Sequence, residues 1–196
     1  INLDSRKPRA FSPNDVEKMR AFADQAANAF RNAQLFDELF RYADELTVLY
    51  RGMSVLFTAL QDSNDISEVA MRVADAVVSE FHTMDCGVLI VNPEQQEIQR
   101  LGRAGVFGAS TFNILDLDGP GLVPDAIRTK QVVYVPDVRA DERYLAGESR
   151  TRSELVLPLV TPSGVIGALD LQSPQLDAFS ARDQRVLESF AESAAT

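Results

Sequence analysis

Apolar residues recur at Met19, Phe22, Ala26, Ala29, Ala33, Phe36, Phe40 and Ala43 in alternating steps of three and four, the seam of a helix made to pair with another helix. Ser12-Pro13 marks its start: a serine N-cap, a proline at the first helical position, and Asp15 where its charge suits the helix dipole. After Pro13 no Gly or Pro interrupts the pattern until Gly52. The spacing slips by one step at Leu46 and resumes through Tyr50, Met53, Phe57 and Leu60, which predicts a change of packing partner, either a second helix or the sheet of the helix's own domain. Asp62-Ser63-Asn64-Asp65 ends this helix, with Asn64 or Asp65 able to cap a second one carrying Ile66, Val69, Val73, Ala76, Val77 and Phe81 on one stripe.

From Cys86 the period changes. Cys86 to Val91 is apolar on both alternating faces, as a central strand covered on both sides should be. Asn92-Pro93-Glu94 turns the chain, and the more polar 97–102 reads as an edge-like partner. The Gly-rich stretch from Gly105 to Gly121 predicts a loop with a short strand near 112–117, followed by a helix from about Leu122 to Thr129. Strands are predicted over 132–135, 153–160 and 164–171, the last two joined by the hairpin loop Thr161-Pro-Ser-Gly164. A final helix starts at Phe179-Ser180.

The beginning of the chain repeats its end. Residues 1–28 align without a gap on 169–196: Leu3 falls on Leu171, Ala10-Phe11-Ser12 on Ala178-Phe179-Ser180, Asp15 on Asp183, Phe22-Ala23 on Phe190-Ala191 and Ala26-Ala27 on Ala194-Ala195. INLDS at the start is accordingly expected to be a strand, the tail of a preceding domain of the same kind. In the first copy the helix continues past Ala27, so another amphipathic helix is expected after Thr196.

A formal net charge of −10 leaves no basic stripe for phosphates, which speaks against nucleic acid and anionic membrane surfaces as partners. No apolar run approaches the ~18 residues of a spanning helix, so no membrane contact by this segment is expected. Cys86 is the only cysteine, excluding an intrachain disulfide and a Cys-rich zinc site, and a reducing, cytoplasmic setting fits. His82, Asp85 and Cys86 sit together at a helix-to-strand junction, but three soft ligands without a fourth read as a capping junction, with neither metal nor haem expected.

Four groups of residues together resemble a GAF domain over about 44–196: Val135-Pro-Asp137 with Asp141, Arg143 and Tyr144; Ser153-Glu154 leading into Leu157-Pro158-Leu159; Gly164-Val-Ile-Gly167 with Leu169 and Leu171; and Ala178-Phe179-Ser180 with Asp183, Leu187 and Ala191. The resemblance implies an α+β, GAF-like (PAS/profilin-like) three-layer α/β/α fold. Its twisted antiparallel sheet follows a long helix, with the first and last helices on one face and a ligand cavity under short helices on the other. Residues 1–43 would be the last strand and exit helix of a preceding GAF repeat and 44–196 the GAF domain proper, in a tandem-GAF signalling protein of the histidine kinase, cyclase or phosphodiesterase type.

The function this implies is a regulatory small-molecule-sensing module, as in two-component systems. It would form a parallel homodimer through the N-terminal helix and pass a conformational signal to an output domain. A ligand-free structural or dimerisation module is the alternative, and an enzyme the least favoured reading. The phosphodiesterase cyclic-nucleotide signature is missing, and Cys86, followed by Gly87, does not match a bilin-attachment cysteine, so no covalent bilin and no other cofactor is expected. Free methionine sulfoxide reductases of this fold use one thiolate to attack and another to resolve, which one cysteine does not provide. For an unidentified small-molecule ligand, the pocket candidates are Asp137, Asp141, Arg143, Tyr144 and Ser153. Asp137 could equally cap a short turn, and Arg143 could simply pair with a neighbouring acid.

Overall fold

In the computed structural model, which describes residues 2, 4–62, 65–107 and 112–195, the first helix, α1, runs unbroken over Pro13–Asp62. Its start is a reciprocal cap: Asp15 N–H donates to Ser12 Oγ at 3.2 Å, while Ser12 N–H and Oγ donate to Asp15 Oδ2 at 2.9 and 2.6 Å. The last helix, α4 (Ala181–Ala194), opens on the same cap, with Ser180 and Asp183 at 3.2, 2.9 and 2.7 Å. The sequence repeat is thus a repeat of local structure at these two helix starts. It does not extend to the strand expected at INLDS: Asn2, Asp4 and Ser5 are in no strand, and Ile1 and Leu3 lie outside the described residues. A β-strand needs a neighbour to hydrogen-bond, and none of the described strands pairs with this segment.

Contacts divide the chain into two units, Ile1–Leu46 and Thr47–Thr196. In the second, Asp65 caps α2 (Ile66–Glu80) by accepting from Ser67 N–H at 2.9 Å; Ser63 and Asn64 lie outside the described residues. The strands are β1 (Asp85–Asn92), β2 (Glu97–Gly105), β3 (Ile114–Asp116), β4 (Val133–Val135), β5 (Ser153–Thr161) and β6 (Gly164–Ser173), with α3 (Leu122–Thr129) between β3 and β4. They form one antiparallel sheet in the order β3-β2-β1-β6-β5-β4, the α+β arrangement that the resemblance implies. β1 is central as expected. β2 is not an edge, because β3 pairs with its first three residues.

Each face of the sheet has its own core. Leu155, Leu157 and Leu159 of β5 point with Leu169 and Leu171 of β6 toward α2 and α4, where Phe81 and Phe190 meet edge to face at 5.0 Å. The intervening Val156 and Ala168 point the other way, against Val123, Ala126 and Ile127 of α3. Burial on both faces makes β5 and β6 almost uniformly apolar. The few polar residues inside them are therefore the informative ones. Among the described residues no helix is long and apolar enough to cross a membrane.

Candidate functional site

Four polar side chains meet beneath α3, each from the α3-facing side of a strand: Arg100 of β2, Glu154 of β5, and Asp170 and Gln172 of β6. Pairing of β6 with both β1 and β5 sets Glu154 opposite Gln172, while Arg100 reaches across β1 to Asp170. Gly87 of β1 makes that reach possible, since a β-carbon there would overlap Arg100 Nη1.

Asp170 is the hub. Its Oδ2 accepts from Arg100 Nη2 and from Gln172 Nε2, both at 3.0 Å, with the aspartate and arginine side chains 2% and 8% exposed. Gln172 is held in turn by Thr151 Oγ1, which donates to its Oε1 at 3.0 Å. Beside this network Asp85 accepts from Arg103 Nε at 2.8 Å and from the Phe107 N–H at 3.0 Å. Burial pushes the Glu154 carboxyl well above the usual carboxylate range, and the neighbouring Asp170 charge and a hydrogen bond to Asp170 push it the same way. The surroundings therefore favour the protonated form of Glu154.

This network is not internally satisfied. Asp170 Oδ1, Glu154 Oε2, and Nε and Nη1 of Arg100 are buried without a hydrogen-bond partner. Each such atom costs roughly 1–3 kcal/mol, more where charged, so four at one spot mark a place that a polar molecule would complete. The roof is Gly121 with the first turn of α3, and Tyr144, Leu145 and Gly147 from the following loop. Gly121 has φ +127°, a backbone open to glycine, and leaves the start of α3 without a side-chain cap. The cavity is partly open to solvent and measures only about 40 Å³, room for water but not for an amino acid.

Of the five residues picked from sequence, only Tyr144 lines this cavity. Asp137 caps the 3-10 turn Val138–Ala140 by accepting from Arg139 N–H at 3.2 Å, and pairs with Arg152 at 3.5 Å. Arg143 is a surface clasp, bonded to Asp141 Oδ2 and to Asp125 Oδ2 of α3, both at 2.6 Å. Ser153 is buried on the other side of β5, donating to Gln175 O at 2.8 Å and accepting from Ala178 N–H. Arg100, Glu154, Asp170 and Gln172 were absent from that choice. For Glu154, Asp170 and Gln172 the signal was the charged or polar residue inside an otherwise apolar strand; Arg100 lies in the polar β2, where nothing marks it out.

Cys86 faces the α2/α4 core, fully buried and across the sheet from this cavity, and burial pushes its thiol well above the usual range. His82 lies in a left-handed turn just after α2, and among the described residues no group of His, Cys, Asp and Glu is placed to hold a metal ion.

Known proteins place these features in a family. The free methionine-R-sulfoxide reductase of Escherichia coli (strain K12) is 33% identical over 149 residues, covering 74% of this chain and 81% of that protein. The GAF domain-containing protein A of Dictyostelium discoideum is 28% identical over 126 residues, covering 64% and 76%. Among solved structures, the free methionine-R-sulfoxide reductase of Neisseria meningitidis in complex with its substrate superposes with a TM-score of 0.66 at 25% identity, covering 77% of this chain and 86% of that one. These relatives overturn the expectation of a non-catalytic sensor module with a signalling, two-component role. Proteins similar over most of the chain are enzymes, of the kind set aside above on cysteine count. The GAF domain family itself matches residues 63–196, which span α2, the whole sheet and α4, and the chain belongs to it.

Proposed function

We propose that the cavity beneath α3 binds free methionine sulfoxide, the compound for which the reductase relatives are named. The observation that carries this is the set of partnerless buried atoms and their polarity. Asp170 Oδ1 is an acceptor suited to an ammonium group, while the partnerless N–H groups of Arg100 are donors suited to carboxylate and sulfoxide oxygens. A free amino acid bearing a sulfoxide carries both kinds of complement in one small molecule. Leu122, Val123 and Leu145 on the cavity wall would meet its methylene chain.

Because the cavity measures about 40 Å³, binding requires the roof to lift. Arg143 ties the roofing loop to α3 through Asp125, and the half-exposed guanidinium leaves that tie screened by solvent and weak, on the order of 1 kcal/mol. Reducing a sulfoxide to a thioether and water takes two electrons and two protons, delivered by thiols. With Cys86 across the sheet, recognition is what this cavity itself supplies.

Isothermal titration with L-methionine-R-sulfoxide, its S epimer and methionine tests the proposal. The R-sulfoxide is expected to bind saturably and about tenfold more tightly than methionine, which lacks the acceptor oxygen; Glu154→Gln and Asp170→Asn should each weaken it by a similar factor. Absence of saturable heat, or equal binding of methionine, would refute it.

A further inference from the structure

The loop that roofs the polar cavity is held differently at its two ends. At Arg143 the hold is a half-exposed ion pair to Asp125. At the other end Thr151, 2% exposed, donates through Oγ1 to Gln172, and the Arg152 N–H donates to Ser173 O of β6 at 2.7 Å. Next to this buried end stands Arg150, whose guanidinium lies 4.9 Å from the ring centre of Phe107. Phe107 is 3% exposed, yet it belongs to neither of the two apolar cores. Its ring meets guanidinium groups instead, with Arg103 5.8 Å from the same centre. Each arginine has its own acid, Arg103 on Asp85 at 2.8 Å and Arg150 on Glu148 at 2.9 and 3.0 Å, so two cations share one ring without leaving net charge there. The Phe107 backbone is fixed as well, its N–H donating to Asp85.

We propose that Phe107 is a positioning residue for this cavity, the fixed point about which residues 144–151 open. Its two arginines lead in two directions. Arg150 leads to the roof: Glu148, which it grips, accepts through its backbone O from the Tyr144 hydroxyl at 3.2 Å, and Tyr144 lines the cavity. Arg103 leads to the floor: its Nη2 donates to Gln172 Oε1 at 3.4 Å, and Gln172 Nε2 donates to Asp170. One ring therefore sets roof and floor relative to each other. The Arg143 pair is screened by water, whereas the Thr151 end is hydrogen-bonded out of water, so the roof lifts from Arg143 and turns at 150–152. The guanidinium of Arg150 over the Phe107 ring keeps that turning point in place while the roof moves. Phe107 touches no ligand in this account and acts through Arg150 and Arg103.

The role in binding rests on methionine sulfoxide being the ligand, but the fixed point itself is measured without ligand, by hydrogen exchange of the Thr151 and Arg152 amides in the full chain. Phe107→Leu keeps an apolar side chain without the aromatic face, and Arg150→Gln removes the cation from an exposed position. Each should speed exchange at these two amides about threefold, while amides of 155–157 and 169–171 exchange as in the parent. The double variant should be no faster than Phe107→Leu alone, because both changes remove one contact, whereas independent loosening would add. Arg143→Ala should leave both amides unchanged. If Phe107→Leu fails to fold by circular dichroism, Arg150→Gln and Arg143→Ala decide. Phe107→Leu should also weaken L-methionine-R-sulfoxide about threefold without faster association, since the ligand must then order the roof. The proposal is overturned if every folded variant at Phe107 and Arg150 exchanges like the parent, if the two changes add, or if Arg143→Ala alone frees these amides. Faster association in Phe107→Leu would overturn it too, because the contact would then be one that breaks on opening. Absence of saturable binding by the parent would instead defeat methionine sulfoxide as the ligand and leave exchange to decide the role of Phe107.

Discussion

Glu154 is one methylene longer than Asp170, and they occupy nearly the same surroundings, yet only Asp170 has the Arg100 guanidinium at 3.0 Å. That asymmetry separates the two: Asp170 is paired with a cation, and burial raises the Glu154 carboxyl above the usual carboxylate range. The consequence for stability has a definite sign. A carboxyl whose folded-state pKa lies above the unfolded value of 4.5 binds more protons when folded, so its contribution is whole below 4.5 and is lost as pH rises toward the folded-state value. Glu154→Gln removes the titration and keeps the shape. Melting temperatures of the two proteins should therefore diverge above pH 4.5, with the variant gaining on the parent by about 1.4 kcal/mol per pH unit within that window. Asp85, shifted upward mainly by burial, is common to both proteins and drops out of the difference. Parallel melting curves from pH 5 upward would mean that Glu154 is ionised in the fold.

Among the elements, the ones legible from sequence are those whose boundaries are set by local chemistry. Helix α3 occupies Leu122–Thr129 as expected, because Gly121 and the left-handed Lys130 stop it at both ends. β6 runs two residues beyond its apolar run, to Ser173, because Gln172 and Ser173 are buried polar residues with partners on β5 and in the 151–152 segment. No local pattern announces such partners. The polar cavity was illegible for the same reason: Arg100 and Asp170 are 70 positions apart, and only the sheet register brings them together. Arg143 was legible as a site residue, but its neighbours give it a different task, joining α3 to the roofing loop through Asp125 and Asp141. Arg143→Ala should accordingly raise the association rate of methionine sulfoxide by about fivefold, the factor that corresponds to ~1 kcal/mol of closed-state preference, and lower stability by no more than that. Stopped-flow mixing checks this. A slower association with weaker affinity would instead make Arg143 a ligand contact.

At the scale of the whole molecule, two properties oppose each other: a long apolar seam on α1 and a net charge of −10. Phe22, Phe36 and Phe40 of that seam are 58%, 61% and 74% exposed, an unusual display for aromatic rings spaced to meet another helix. We propose that a second copy covers the seam, giving a parallel homodimer. Each copy brings the same excess of negative charge, and like-charge repulsion between them is screened over a Debye length of about 10 Å at 0.1 M salt. Apolar burial along the seam does not weaken with salt. The dimer should therefore tighten as salt rises from about 0.05 to 0.3 M, opposite to an assembly held by ion pairs. Sedimentation equilibrium across that range, repeated with Phe36→Glu and Phe40→Glu together, measures it: the parent is expected to be dimeric at tens of micromolar and the double variant monomeric. A monomeric parent at every salt concentration, or a dimer that loosens as salt is added, would rule out pairing through this seam.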